Sequence, residues 1–74
     1  MKQRIKSLLE DALPLVDLDS EFLFAELDSL GVTTILMILS SEFGITLEAA
    51  DATPRNLKNI DSIVAMVEQK LQQQ

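Results

Sequence analysis

The chain has no cysteine, histidine, tryptophan or tyrosine among its 74 residues. Their absence removes disulfides, thiolate nucleophiles, imidazole bases and the usual zinc ligands. Carboxylates are the only general acids or bases left, and a chain this short has few ways to enclose a pair of them away from water. No acid spacing indicates a paired-carboxylate hydrolase. We therefore expect no catalytic residues, no metal site and no enzymatic activity.

Basic residues are also scarce. All six lie at positions 2, 4, 6, 55, 58 and 70, so residues 7–54 carry ten acids and no base, and the net charge is −6. Such a balance argues against binding nucleic acid or anionic membranes, which requires basic residues. No run approaches the ~20 apolar residues of a membrane span, and the basic start leads into no signal sequence. We expect a soluble, cytoplasmic monomer whose partners have basic surfaces.

The first half of the chain predicts a helix followed by a long connector. Apolar residues recur at helical spacing over residues 2–13, and Pro14 ends the pattern. Residues 15–27 have no sustained period, so we predict a long loop pinned by its apolar residues. Its acids form a solvated surface or a docking surface, and both alternatives stay open. They are Asp17, Asp19, Glu21 and Glu26.

A second helix is predicted over residues 29–43, ended by Gly44 as its C-terminal cap. Its core stripe comprises Val32, Ile35, Leu36, Leu39 and Phe43. Leu30 and Met37 fall on the opposite face and should be exposed, next to Thr33, Thr34 and Ser41. Either these five residues form a ridge on which a partner docks, or the two apolar side chains are exposed by chance.

The remainder predicts a second connector and two more helices. Residues 44–52 should form a loop with Ile45 and Leu47 turned inward. Thr53 and Pro54 begin a short helix reaching Leu57. Asn59 caps the last helix, and residues 72–74 should fray. The fold class is therefore all-α: a small bundle of three main helices and one short helix, with a long loop between the first two. The core stripe of the last helix comprises Ile60, Ile63, Val64, Val67 and Leu71.

Asp28 and Ser29 form the most distinctive feature. Asp28 is a favourable N-cap, which makes Ser29 the first residue of the second helix. The Ser29 hydroxyl should then be exposed at the positive end of the helix, where the dipole and unpaired amides favour an anionic group. A phosphate ester on Ser29 would be tolerated electrostatically.

The chain resembles the phosphopantetheine-dependent carrier proteins over nearly its whole length, which makes residues 1–74 a single acyl-carrier-like domain. Asp28, Ser29 and Leu30 match the family's attachment motif, and the following helix ends in Glu42 and Phe43 as family members do. The resemblance implies that a phosphopantetheinyl transferase attaches 4'-phosphopantetheine to Ser29. It implies an acyl carrier in fatty-acid, polyketide or other specialised biosynthesis, acted on by loading, elongating or transferring enzymes. A peptidyl or aminoacyl carrier is the alternative within the family, and a non-covalent helical adaptor is the alternative outside it.

Two features qualify the resemblance. A second Asp-Ser pair, Asp61 and Ser62, falls inside the last helix, so we interpret Ser62 as structural. The second helix carries only one acid, Glu42, where many family members carry several. We therefore expect partners to contact the helix through Leu30, Met37 and its hydroxyl side chains, while the four acids of the preceding loop steer association.

Overall fold

A computed structural model describes residues 1–73 and contains helices, turns and loops, with no strand in that range. The all-helical prediction is confirmed. None of the helices within the described range is long and apolar enough to cross a membrane. Gln74, the last residue of the predicted frayed tail, lies outside the description. The elements are α1 (Lys2–Ala12), α2 (Leu23–Glu26), α3 (Ser29–Phe43), a 3-10 turn (Ala49–Asp51) and α4 (Ile60–Gln72).

Both ends of α3 lie where the sequence predicts them. The Asp28 carboxylate accepts a hydrogen bond from the Gly31 amide at 2.7 Å, which satisfies one of the unpaired donors of the first turn. Gly44 ends the helix in the left-handed region, with φ of 62°, and its amide donates to the Ser40 carbonyl. Residues that have a side chain rarely adopt that backbone conformation, so glycine is suited to this position.

The short helix lies in a different place from the one predicted. Residues 53–57 form one hydrogen-bonded turn, in which the Thr53 hydroxyl accepts from the Asn56 amide at 3.0 Å. Beyond this turn the chain departs from helical geometry, and the Lys58 carbonyl accepts from the Leu23 amide at 2.8 Å. That bond holds the first turn of α2. This short helix lies within residues 15–27, for which the sequence predicted an irregular loop. Tertiary pairing thus decides which short segment becomes helical.

The core is a single apolar cluster that draws on every helix and on the connectors. Ile35 and Leu39 are fully buried, as their positions on the predicted α3 stripe require, while Val32, Leu36 and Phe43 pack partly buried against the cluster. Ile45 and Leu47 also point inward as predicted. The long connector contributes two anchors that fix its path, and the last helix adds one residue outside its predicted stripe. These are Leu18, Leu23 and Met66.

Apolar residues in the connector divide into anchors and exposed side chains. Leu18 and Leu23 are buried, which agrees with a pinned loop, but Phe22 is 73% exposed and does not pin it. The Phe22 backbone ends the connector before α2, and its amide donates to the Ser20 hydroxyl at 3.0 Å. Leu23, the next residue, points into the core, and the Phe22 side chain points to solvent.

Within residues 1–73, four ion pairs at the surface join helices to one another or to the connecting segments. Arg4 pairs with Glu42 and lies 5.1 Å from the centre of the Phe43 ring, so the start of α1 contacts the end of α3 and the two helices are antiparallel. Lys2 pairs with Asp61 at 2.9 Å and joins the first turns of α1 and α4. Exposed pairs of this kind contribute at most about 1 kcal/mol each, so they orient the helices more than they stabilise them. The other two pairs are Lys6 with Asp19 and Lys70 with Asp51.

The difference in burial between two apolar residues of α3 predicts a large loss of stability on truncating one and almost none on truncating the other. Leu39→Ala should lower the free energy of unfolding by about 2–5 kcal/mol, because Leu39 is fully buried and its truncation leaves a cavity. Met37→Ala, on the exposed face of the same helix, should change it by less than about 0.5 kcal/mol. Urea unfolding followed by circular dichroism measures both. Equal losses in the two variants would contradict the assigned core face.

A second prediction concerns acid stability. The Glu48 amide, and after it the Lys70 ammonium, hold the pKa of the Asp51 carboxyl below its ordinary value of 3.8. Because the folded-state pKa lies below the unfolded one, this contribution is present above the unfolded pKa and is lost as the pH falls through the folded pKa. Asp51→Asn should therefore be less stable than the wild type at pH 7, and the difference should shrink below about pH 4. Urea unfolding at several pH values measures this; a constant difference down to pH 2 would refute it.

Candidate functional site

Ser29 occupies the first position of α3 with its side chain exposed. Its hydroxyl makes no hydrogen bond with any side chain or backbone group of residues 1–73. Asp28 satisfies the next two amides of the turn, since its carboxylate accepts from Gly31 and its carbonyl accepts from Val32 at 3.0 Å. The amides of Ser29 and Leu30 remain open to solvent at the positive end of the helix. An anionic group bonded to the Ser29 oxygen would meet favourable electrostatics there.

Gly31 permits the close packing around this first turn. A Cβ atom added at Gly31 would lie 3.2 Å from Asp28 Oδ1 and 3.9 Å from Leu13 Cδ2. The missing side chain therefore leaves room for the cap carboxylate, whereas the distance to Leu13 is an ordinary van der Waals contact. A glycine inside a helical pattern is a sequence signal of such a close approach.

Ser62, in the second Asp-Ser pair, has a different setting. Its side chain is partly buried, and its hydroxyl donates to Asn59 Oδ1 at 3.1 Å. The same oxygen accepts from the Ser62 amide at 2.9 Å, which makes Asn59 the predicted cap of α4. The Ser62 hydroxyl is thus part of a cap, in contrast to the unbonded hydroxyl of Ser29.

Two grooves flank the first turn of α3. The Ala52 groove, of about 410 Å³, includes Ser29 and lies between α3, the connector and the 3-10 turn. The Leu15 groove, of about 340 Å³, lies on the other side, between α3 and the end of α1. Leu27 and Asp28 line both grooves. The other residues of the first groove are Phe24, Val32, Thr33, Leu36, Ala49 and Ala52. The other residues of the second groove are Ala12, Leu13, Pro14, Leu15, Val16, Glu26, Leu30, Gly31 and Thr34.

The predicted ridge residues of α3 differ in how exposed they are and in which groove they border. Leu30 and Met37 are 75% and 65% exposed, as predicted, and Ser41 is exposed as well. Thr33 is exposed beside the Ala52 groove, whereas Thr34 is partly buried beside the Leu15 groove. The exposed surface near Ser29 is therefore divided between two faces of the helix.

The two threonine hydroxyls are already engaged. Thr33 Oγ1 donates to the Ser29 carbonyl at 2.9 Å, and Thr34 Oγ1 donates to the Leu30 carbonyl at 2.8 Å. Back-bonding of this kind uses the hydroxyl proton within the helix. Neither threonine has a donor left for a partner, so each offers an acceptor oxygen and a methyl group. At these two positions we therefore expect a partner to donate hydrogen bonds to the threonine oxygens and not to accept any from them.

The four connector acids are exposed, but three of them also organise the loop. Asp17 accepts from the Asp19 amide at 3.0 Å, and Glu26 accepts from the Asp17 amide at 3.3 Å. Asp19 pairs with Lys6 at 2.8 Å and holds the pKa of that ammonium above its ordinary value of 10.5. Glu21 makes no hydrogen bond or ion pair within residues 1–73. The acids are thus exposed to solvent while three of them also make contacts that hold the loop, and a docking role stays a prediction.

Sequence reasoning missed one exposed apolar residue beside the site. Leu15 is 99% exposed and lines the Leu15 groove opposite Leu30. It follows Pro14, directly beyond the first helix, where no periodic pattern indicates which way a side chain points. Tertiary packing brings Leu13 to the first turn of α3, and Leu15 follows two residues later in the chain.

Comparison with known families identifies the chain. The family described as "Phosphopantetheine attachment site" matches residues 2–68, which is most of the sequence. No curated protein and no solved structure gives a significant match. Carrier domains of this family bear a covalent 4'-phosphopantetheine and work with phosphopantetheinyl transferases and acyl-handling enzymes. With a match of this extent on an all-helical bundle, the chain belongs to the phosphopantetheine attachment-site family and is a phosphopantetheine-carrying carrier protein.

Proposed function

We propose that the protein is an acyl carrier whose 4'-phosphopantetheine is attached to Ser29. The observation that carries the proposal is the unbonded, exposed Ser29 hydroxyl at the open N-terminus of α3. The Ser29 oxygen attacks the phosphorus of coenzyme A that bears the pantetheine, the phosphoanhydride bond breaks, and adenosine 3',5'-bisphosphate leaves while the hydroxyl proton passes to the transferase. The open amides of Ser29 and Leu30 then stabilise the phosphodiester charge.

The neighbouring residues hold this arrangement. Asp28 keeps the first turn of α3 in place through the Gly31 amide, and Leu30 presents an apolar surface one residue beyond the attachment point. When bound, the cofactor supplies a terminal thiol on which acyl groups are carried as thioesters. This explains how the chain can function without cysteine or histidine of its own. We infer that the domain performs no catalysis and that its partner enzymes do.

The cargo follows from the partner enzymes. Fatty acyl and polyketide intermediates suit the aliphatic Ala52 groove beside Ser29, and aminoacyl or peptidyl cargo is the alternative. We propose that these enzymes dock on the exposed α3 ridge of Leu30, Met37 and Ser41, with Thr33 and Thr34 as acceptors. The connector acids attract their basic surfaces over a longer range.

Intact mass tests the attachment. The wild-type protein incubated with coenzyme A and a broad-specificity phosphopantetheinyl transferase should gain one phosphopantetheine, because Ser29 has a free hydroxyl. Ser29→Ala should gain none. Ser62→Ala is the matched control and should be loaded as fully as the wild type, since its hydroxyl lies in the cap of α4.

Two results would contradict the proposal. Loading of Ser29→Ala would place the attachment elsewhere. No gain on any variant, with the transferase active on a reference carrier, would favour a helical adaptor that uses Leu30 and Met37 for non-covalent binding.

Steering by the connector is tested by association rates. Replacing Asp17, Glu21 and Glu26 with their amides removes three charges and keeps the acceptor oxygens that the loop uses. At low salt this variant should associate with the transferase several-fold more slowly than the wild type, and at high salt the two should converge. Stopped-flow fluorescence measures the rates, with Glu68→Gln on α4 as a charge control. A wild-type rate at low salt would exclude steering by these acids.

A further inference from the structure

We propose that the Leu15 groove receives an apolar side chain of the phosphopantetheinyl transferase, and that Leu15 is a recognition residue for attachment. This inference rests on the proposed function, because it requires a transferase to reach Ser29. It assigns a role to the most exposed large apolar residue of the protein, which lies outside the α3 ridge.

The first argument is the shape and chemistry of the groove. Leu15 and Leu30 are 99% and 75% exposed, and both line a groove of about 340 Å³ that also includes Leu13 and Gly31. Isolated exposed leucines are ordinary, but two that border one apolar depression form a continuous patch. Gly31, which has no side chain, forms part of the lining on the α3 side. An apolar side chain inserted there would remove both leucines from water.

The second argument is the size of the contact. A specific protein complex covers about 800 Å² on each partner. The whole surface of this protein is 4596 Å², so a partner of ordinary size would cover about one sixth of it. A footprint centred on Ser29 reaches the Leu15 groove, whose lining includes Asp28 and Leu30, the residues on either side of Ser29.

The third argument is what the groove offers to a partner. Thr34, on its α3 side, has its hydroxyl proton bonded to the Leu30 carbonyl, so the groove wall there presents a methyl group and an acceptor. Glu26 and Asp28 are the only charged residues in the lining, and both are acids. The groove therefore fits an apolar side chain that has a lysine or arginine close by on the transferase.

Loading kinetics and binding together test the proposal. Leu15→Ser should raise the KM of the transferase for this protein about tenfold, since a central apolar contact is lost while Ser29 keeps its geometry. Phe22→Ser is the matched control: Phe22 is also an exposed apolar connector residue, at 73%, and it lines neither groove. Its KM should stay within twofold of the wild type.

A binding measurement separates recognition from chemistry. In the Ser29→Ala background, which cannot be loaded, Leu15→Ser should weaken the Kd for the transferase about tenfold by calorimetry. Thermal unfolding should be unchanged, because Leu15 buries no surface in the isolated protein.

Every other combination of results overturns either the role of Leu15 or the proposed function. Wild-type KM and Kd for Leu15→Ser, with full loading of Ser29, would overturn the proposal and leave the proposed function intact. An equal loss in Phe22→Ser would overturn it too, by showing a general dependence on exposed apolar area. Weakened loading with an unchanged Kd would assign the groove to the tethered cofactor arm and would also overturn it. Failure to load the wild type at all would refute the proposed function itself.

Discussion

The hydrogen bond from the Gly31 amide to the Asp28 carboxylate, at 2.7 Å, fixes the point at which α3 begins. It makes Ser29 the first helical residue and leaves the amides of Ser29 and Leu30 open. Because Gly31 has no side chain, the cap carboxylate can approach the turn closely. The cap and the exposed position of the Ser29 hydroxyl are thus set by one contact between residues three apart. An N-cap of this kind contributes about 1 kcal/mol, yet it determines the geometry of the whole site.

Charge is distributed so that most cations act within the fold. Lys2, Arg4, Lys6 and Lys70 each pair with an acid of another segment. Their charges are thereby neutralised locally, and no basic residue lines either groove beside Ser29. The region around the attachment point consequently presents apolar surface and acids to a partner. The acids there are Glu26 and Asp28, and the exposed apolar side chains are Leu15 and Leu30.

Local sequence signals were sufficient for the longer helices and for the position of Ser29 at the start of α3. The bounds of α3 follow from Asp28 and Gly44, whose side-chain and backbone chemistry act within one turn. The connector could not be predicted in this way, because its conformation depends on a bond between Leu23 and Lys58, 35 positions apart. The same limit explains Leu15, which shares a groove with α3 through contacts between segments that are distant in sequence. Pattern reasoning is reliable where the deciding contacts are near in sequence and fails where they are distant.

Leu27 separates the two grooves beside Ser29 and forms a wall of each. Asp28, which caps α3, also lines both grooves, so the two grooves meet at the residues that directly precede Ser29. A substitution at Leu27 therefore alters the walls of both grooves at the same time, and its effect on one groove cannot be separated from its effect on the other.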